Sequence, residues 1–146
     1  DRELVFDAVY ASPLGRAFET AAIVAAELEL AEPIIHDDLI ERDFGIMTGK
    51  PATDIEEICA PDIIKAENVT YFLHPDGAET FPELLARGQR VLDFMAHQHP
   101  DQTVLLACHG DIGKMIYAAA TSTPWRQVLT DFYFGNTDII GPVDVS

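Results

Sequence analysis

Two short stretches of this chain share one design: an apolar run breaks at a tight turn and restarts as a helix. They are "AVYASPLGR" (residues 8–16) and "LLACHGDIGK" (105–114). Each would set the free N–H groups and positive dipole end of a helix N-terminus at the end of a strand. Arg16 falls in the first turn of its helix. A cation there opposes the helix dipole unless an anion lies between them. His109 is the last residue of its apolar run, and Gly110 after it lets the backbone come close to a ligand. Together these residues describe an anion pocket, and phosphate suits it. Alone, an arginine near a helix start is most often a surface residue, and a strand-end histidine is more often packing. The pairing of two such motifs is what favours chemistry.

Other chemistries fit less well. "GDIGK" and "GIMTGK" have the flavour of a phosphate loop, but Cys108 stands where a glycine is needed, and Met115 and Pro51 stand where serine or threonine is required. Cys108 and His109 are neighbours on a strand and so face opposite ways, which argues against a thiol–imidazole pair. "HDD" (36–38) and "HQH" (97–99) match no standard metal spacing and read as solvated surface. Neither a metal nor a cofactor is expected.

The elements that must position the pocket alternate between strand and helix. Residues 4–12 end in a β-like run. Residues 12–30 read as a helix with Ser12 as N-cap and Pro13 in its first position, apolar almost all round and therefore well buried. A short strand with a turn follows at 32–41, then loop at 44–54, a short helix from Asp54, and a loop or lid at 67–80. Residues 81–100 make a strongly amphipathic helix. Residues 103–109 form a continuous apolar strand of the kind found inside parallel sheets. Residues 111–121 are helix, and 137–145 read as a last strand. This order predicts an α/β fold with a mainly parallel sheet, and ligands in such sheets sit at the carboxyl ends of the strands.

At 146 residues the chain is about one domain, and 48% hydrophobic residues suffice for a core. A net charge of -16 argues against nucleic acid and anionic membranes as partners, yet leaves room for one basic pocket. Two cysteines make no disulfide framework, and no membrane span or signal peptide is visible, so a cytoplasmic location is expected. A homodimer is left open.

Four segments resemble the histidine phosphatase superfamily, the phosphoglycerate mutase-like proteins. "YASPLGRAFETA" is similar to its S-x-L-x-R-A-x-x-T-A segment, and "LIERDFGIMTGK" to its L-x-E-x-x-x-G-x-x-x-G segment. "HPDGAETFPELLARGQRVLDF" resembles its P-x-G-E-S stretch with the following helix, and "VLLACHGDIGKMI" its V-x-x-V-S-H-G turn. All four stand in the family's order and cover nearly the whole chain. The resemblance implies a three-layer αβα sandwich with a mainly parallel central sheet. It implies that Arg16 binds the transferred phosphoryl group, that Glu41 donates a proton to the leaving oxygen, and that His109, with the N–H of Gly110, binds phosphate and stabilises the transition state. The substrate it implies is a small phosphate monoester, hydrolysed through a phosphohistidine. A phosphoglycerate mutase and a non-catalytic anion-binding or regulatory module are the alternatives.

The resemblance also carries departures. The family's Arg-His-Gly, which holds its nucleophilic histidine, does not occur here, and His36, His74, His97 and His99 are in other contexts. Cys108 replaces the usual serine or threonine, Lys114 a frequent arginine, and Ala78-Glu79-Thr80 stands in the region of Gly-Glu-Ser. Residues 1–146 are therefore expected to be one domain lacking its first strand and helix. That strand is expected between the strands at 5–11 and 103–109, so that residues 1–146 alone should neither fold stably nor turn over.

Overall fold

The computed structural model describes residues 5–67 and 69–131. Its centre is a three-stranded parallel sheet of β1 (Ala8–Ala11), β2 (Ile34–Ile35) and β5 (Val104–Ala107), in the order β2-β1-β5. Two further strands, β3 (Ile63–Lys65) and β4 (Thr70–Phe72), pair antiparallel. The helices are α1 (Gly15–Glu27), α2 (Ile55–Cys59), α3 (Phe81–Gln98), α4 (Gly110–Thr121) and α5 (Trp125–Asp131).

Side-chain alternation along the strands builds the layers. Val9 and Ala11 of β1, with Leu105 and Ala107 of β5, pack against α1. Ala8, Tyr10, Val104 and Leu106 point the other way, into the larger core made with α3, α4 and α5. The alternation of elements predicts the parallel sheet, and helices on both of its faces give the three layers that the resemblance implies. Across the crossing of α3 and α4, a Cβ on Gly88 would lie 3.1 Å from the backbone N of Ile116, so this glycine sets how closely the two helices approach. A capping box starts α3: the Thr80 hydroxyl accepts from the Glu83 N–H, and the Glu83 carboxylate accepts from the Thr80 N–H.

Several expectations are corrected. β1 and β5 pair directly, with Ala8 opposite Val104 and Ala11 opposite Ala107, so no strand lies between them. Pairing order depends on long-range packing, which a local apolar run does not encode. The outer edge of β5 has no partner among the described residues, and all four of its residues are half-buried. Helix α1 begins at Gly15 with Leu14 as N-cap, not Ser12. It buries only Ala17, Ala21 and Ala25, one narrow stripe, and leaves Ile23 67% exposed. Residues 67–80 are not all loop, because β4 pairs with β3 there. The strand expected at 137–145 lies outside the described residues.

Candidate active site

The carboxyl ends of β1 and β5 adjoin, joined by the Ser12 N–H donating to the Ala107 carbonyl at 2.9 Å. The two turns that follow therefore share one edge of the sheet. Arg16, in the first turn of α1, is exposed. His109 caps α4 with extended backbone and is half-buried, and its Nε2 lies 2.8 Å from the Ser12 hydroxyl. Burial lowers the His109 pKa, the Glu41 charge opposes this, and the Arg16 charge adds to it. Both charges are thus felt at one imidazole.

Glu41 reaches the same place from the loop after β2. Its Oε1 accepts from the Ile112 N–H (3.1 Å) and from the Arg42 N–H (2.8 Å), and its Oε2 accepts from the Asp111 N–H (3.3 Å). A carboxylate at the N-terminus of α4 is favoured by the helix dipole and by its unpaired donors. Of the first four N–H groups of α4, that of Gly113 donates to the His109 carbonyl at 2.8 Å. Those of Asp111 and Ile112 go to Glu41, and that of Gly110 has no partner among the described residues. Arg16, Glu41 and the His109-Gly110 pair, far apart in sequence, are brought to one edge.

Behind Glu41 lies a buried ionic network that sequence reasoning did not find. Arg42 is 3% exposed and Arg87 7%. The Arg87 guanidinium donates to the carbonyls of Asp38 and Ile40, each at 2.7 Å, and to both oxygens of Glu79 at 2.8 and 2.9 Å. Glu79 in turn accepts from the Asp43 N–H at 3.2 Å, while its own N–H donates to the Asp43 carbonyl at 2.8 Å. The segment on both sides of Glu41 is therefore gripped by one arginine–carboxylate pair. Arg42 completes the grip. Its Nε donates to the Glu79 carbonyl, its Nη2 to the carbonyls of Phe72 and Leu73, and its guanidinium lies over the rings of Phe81 and Phe72, 4.1 and 4.6 Å from their centroids. Gly45, with φ +59°, lets the loop pass against residues 76–78, where any Cβ would collide with the Asp76 carbonyl and Ala78 nitrogen.

This network shifts two carboxylates in opposite directions. Burial pushes Glu79 up, but its bonds to Arg87 and Asp43 and the charges of Arg87 and Arg42 outweigh that, so its pKa is lowered. Asp111 is pushed up to about 6, first by burial and then by the Glu41 charge, against the pull of Arg42 and Lys114. The one sequence signal for the network was "ETFPELLAR", a glutamate eight residues before an arginine on an amphipathic helix; burial of that arginine is not visible in it.

The remaining candidates go elsewhere. Cys108 packs into the larger core, and burial pushes its thiol up to about 12, which keeps it protonated and unsuited to nucleophilic attack. The His36 Nδ1 accepts from the Asp38 N–H, and its ring packs edge-on against Phe94. His99 bonds to the Tyr10 hydroxyl and to Gln102, each at 2.8 Å. The described residues contain no group of three or more His, Cys, Asp or Glu side chains able to hold a metal ion, and no helix among them is long and apolar enough to cross a membrane.

The sequence profile of the histidine phosphatase superfamily (branch 1) matches residues 2–140. "Phosphoglycerate mutase-like protein 4" of Arabidopsis thaliana is 33% identical over 114 residues, covering 77% of this chain and 49% of its own length. "Metal-independent phosphoserine phosphatase" from the same plant is 31% identical over 117 residues, 78% of this chain and 48% of its own. The chain thus spans about half the length of these curated relatives. Among solved structures, Bacillus stearothermophilus YhfR superposes with a TM-score of 0.61 at 26% identity, covering 88% of this chain and 63% of that one.

Proposed function

The chain belongs to the histidine phosphatase superfamily, and from that premise we propose that it forms the phosphoryl-binding part of a phosphatase acting on a small phosphate monoester. The observation that carries this reading is the meeting of Arg16, His109, Glu41 and the open N–H of Gly110 at the carboxyl edge of the parallel sheet.

A phosphoryl transition state spreads charge over three oxygens, so positioned cations and N–H donors supply most of its stabilisation. In the proposed reaction Arg16, His109 and the Gly110 N–H hold those oxygens. A histidine nucleophile from outside residues 1–146 attacks phosphorus, forming an N–P bond as the P–O bond to the alcohol breaks. Glu41 gives its proton to the departing oxygen. It then takes a proton from the water that attacks the phosphohistidine, which frees phosphate and the histidine. The unpartnered edge of β5, adjacent to His109, is where a strand carrying that nucleophile joins the sheet. The names of the relatives support phosphate-ester chemistry of both kinds, phosphatase and mutase. The short run between Glu41 and α3, occupied by turns, α2 and one small hairpin, favours the phosphatase.

The test is turnover on a panel of phosphate monoesters by the protein with its flanking sequence, alongside Arg16→Ala and His109→Ala. Ester hydrolysis that both substitutions abolish supports the reading. Phosphate binding without turnover points to the regulatory module, and transfer between phosphoglycerates to the mutase.

A further inference from the structure

The Ser12 hydroxyl has no solvent to turn to, because the residue is 0% exposed. It has one donated bond, from the Leu14 N–H at 3.2 Å, and one further polar neighbour among the described residues, the His109 Nε2 at 2.8 Å. A buried hydroxyl must place its own hydrogen on an acceptor or lose the cost of an unsatisfied donor. The backbone nitrogen of Leu14 is a donor, so the only acceptor offered among the described residues is Nε2. An imidazole nitrogen accepts only when it carries no proton, and the neutral ring then carries its proton on Nδ1.

We infer that Ser12 is a positioning residue that fixes His109 in the neutral Nδ1–H tautomer, leaving Nδ1–H as the one ring donor available to an anion. This rests on the reading of His109 as a phosphate ligand only for what the donor is used for; the tautomer itself follows from Ser12. The other tautomer would put a proton on Nε2, aimed at an oxygen already accepting from Leu14, and would leave the Ser12 hydrogen without an acceptor. The strand ends enforce this arrangement. Ser12 is tied to Ala107 through its N–H, and His109 follows two residues later, so the distance between the side chains is set by the β1–β5 pairing. Ser12 earns this place only by failing as a helix cap: α1 starts at Gly15, and the hydroxyl is released for the histidine.

The experiment is long-range proton–nitrogen correlation of 15N-histidine-labelled protein, expressed with its flanking sequence, with and without inorganic phosphate at pH 8. His109 is expected to show a protonated Nδ1 and an unprotonated Nε2. Ser12→Ala should convert it to a mixture or to the Nε2–H form and weaken phosphate binding about three- to tenfold, the range for one lost hydrogen bond. Ser12→Cys, close in size and a weak donor, should fall between the two. A wild-type ring protonated on Nε2, or a wild-type pattern unchanged in Ser12→Ala, overturns the inference. If the tautomer is as stated but phosphate leaves the His109 signals unmoved, the positioning role stands and the phosphate role of His109 falls.

Discussion

The two strand–turn–helix units meet at one edge, yet their helix ends are finished in opposite ways. At α1 the N–H groups of Gly15, Arg16 and Ala17 have no partner among the described residues, no acidic residue stands in the first turn, and the cation Arg16 is exposed beside them. At α4 the N–H groups of Asp111 and Ile112 are taken by Glu41, and the surrounding charges are buried. One end is kept open with a positive charge in reserve, and the other is furnished with a carboxylate from a separate loop. In the proposed reaction the anion is held on the α1 side and the proton is handled on the α4 side. The difference also shows where stability is spent. The α1 end makes few such contacts, whereas the loop that brings Glu41 to the α4 end is held by the buried Arg42 and Arg87 and their bonds to Glu79.

The sharpest way to break the comparison is at the network. Arg87→Met removes a buried cation, strips the Glu79 carboxylate of its ion-pair partner and leaves two carbonyls without their donor, and it should cost about 3–5 kcal/mol of stability, read by chemical denaturation. By contrast Lys65→Ala, whose partner Glu56 is as exposed as itself, should cost under about 1 kcal/mol. Comparable losses from the two would mean that the Arg87 pair is no more integral than a surface one.

At the open end, Arg16→Ala should slow turnover about 100- to 1000-fold while leaving the thermal midpoint near wild type; His109→Ala, at the other end, should slow turnover as much and lower the midpoint somewhat, because the buried Ser12 hydroxyl loses its acceptor. Retained turnover in either folded variant rejects its role. Glu41→Gln should slow esters with poor leaving groups about 100-fold or more and activated aryl esters far less, because only the former need a proton from the enzyme. An equal loss across leaving groups would speak against proton donation.

The last difference expected is a pH slope, spread over about two pH units. Asp111 is pushed up from 3.8 to about 6 in the fold, so between those values the native state holds a proton that the unfolded chain has lost. Stability from this group is therefore greatest in acid and is lost as pH rises from about 4 through about 6, by about 3 kcal/mol in all. Glu79, held low, acts in the reverse sense and loses its contribution as pH falls. Asp111→Asn should flatten the decline between pH 4 and 7 in a series of denaturation midpoints. An unchanged slope would show that Asp111 is not raised.

What was legible in the sequence follows the same division. The open end could be read because a strand, a turn and a helix start are local: "ASPLGR" and "CHGDIGK" declare themselves through apolar runs, Pro13 and Gly110. The amphipathic spacing of residues 81–100 likewise predicts α3, which ends at Gln98. Glu41 was reached through family resemblance alone, since nothing local marks a loop carboxylate as the partner of a helix seventy residues away. The grip of Arg42 and Arg87 was missed because charge counts do not say which arginines are buried. The β3–β4 hairpin escaped because each strand has three residues, too few for a period to appear. Helix α1 misled through composition: its apolar residues run nearly all round, but the sheet covers only the alanine stripe at 17, 21 and 25.

The central claim is that these residues form a single phosphoryl site, and its most direct test is a crystal structure of the protein, with its flanking sequence, bound to orthovanadate. The account predicts vanadate oxygens within hydrogen-bond distance of the Arg16 guanidinium, the His109 ring and the Gly110 N–H, with the Glu41 carboxyl beside the oxygen that stands for the leaving group. Vanadate bound away from the β1–β5 edge, or touching α1 with His109 and Glu41 remote from it, would contradict the claim.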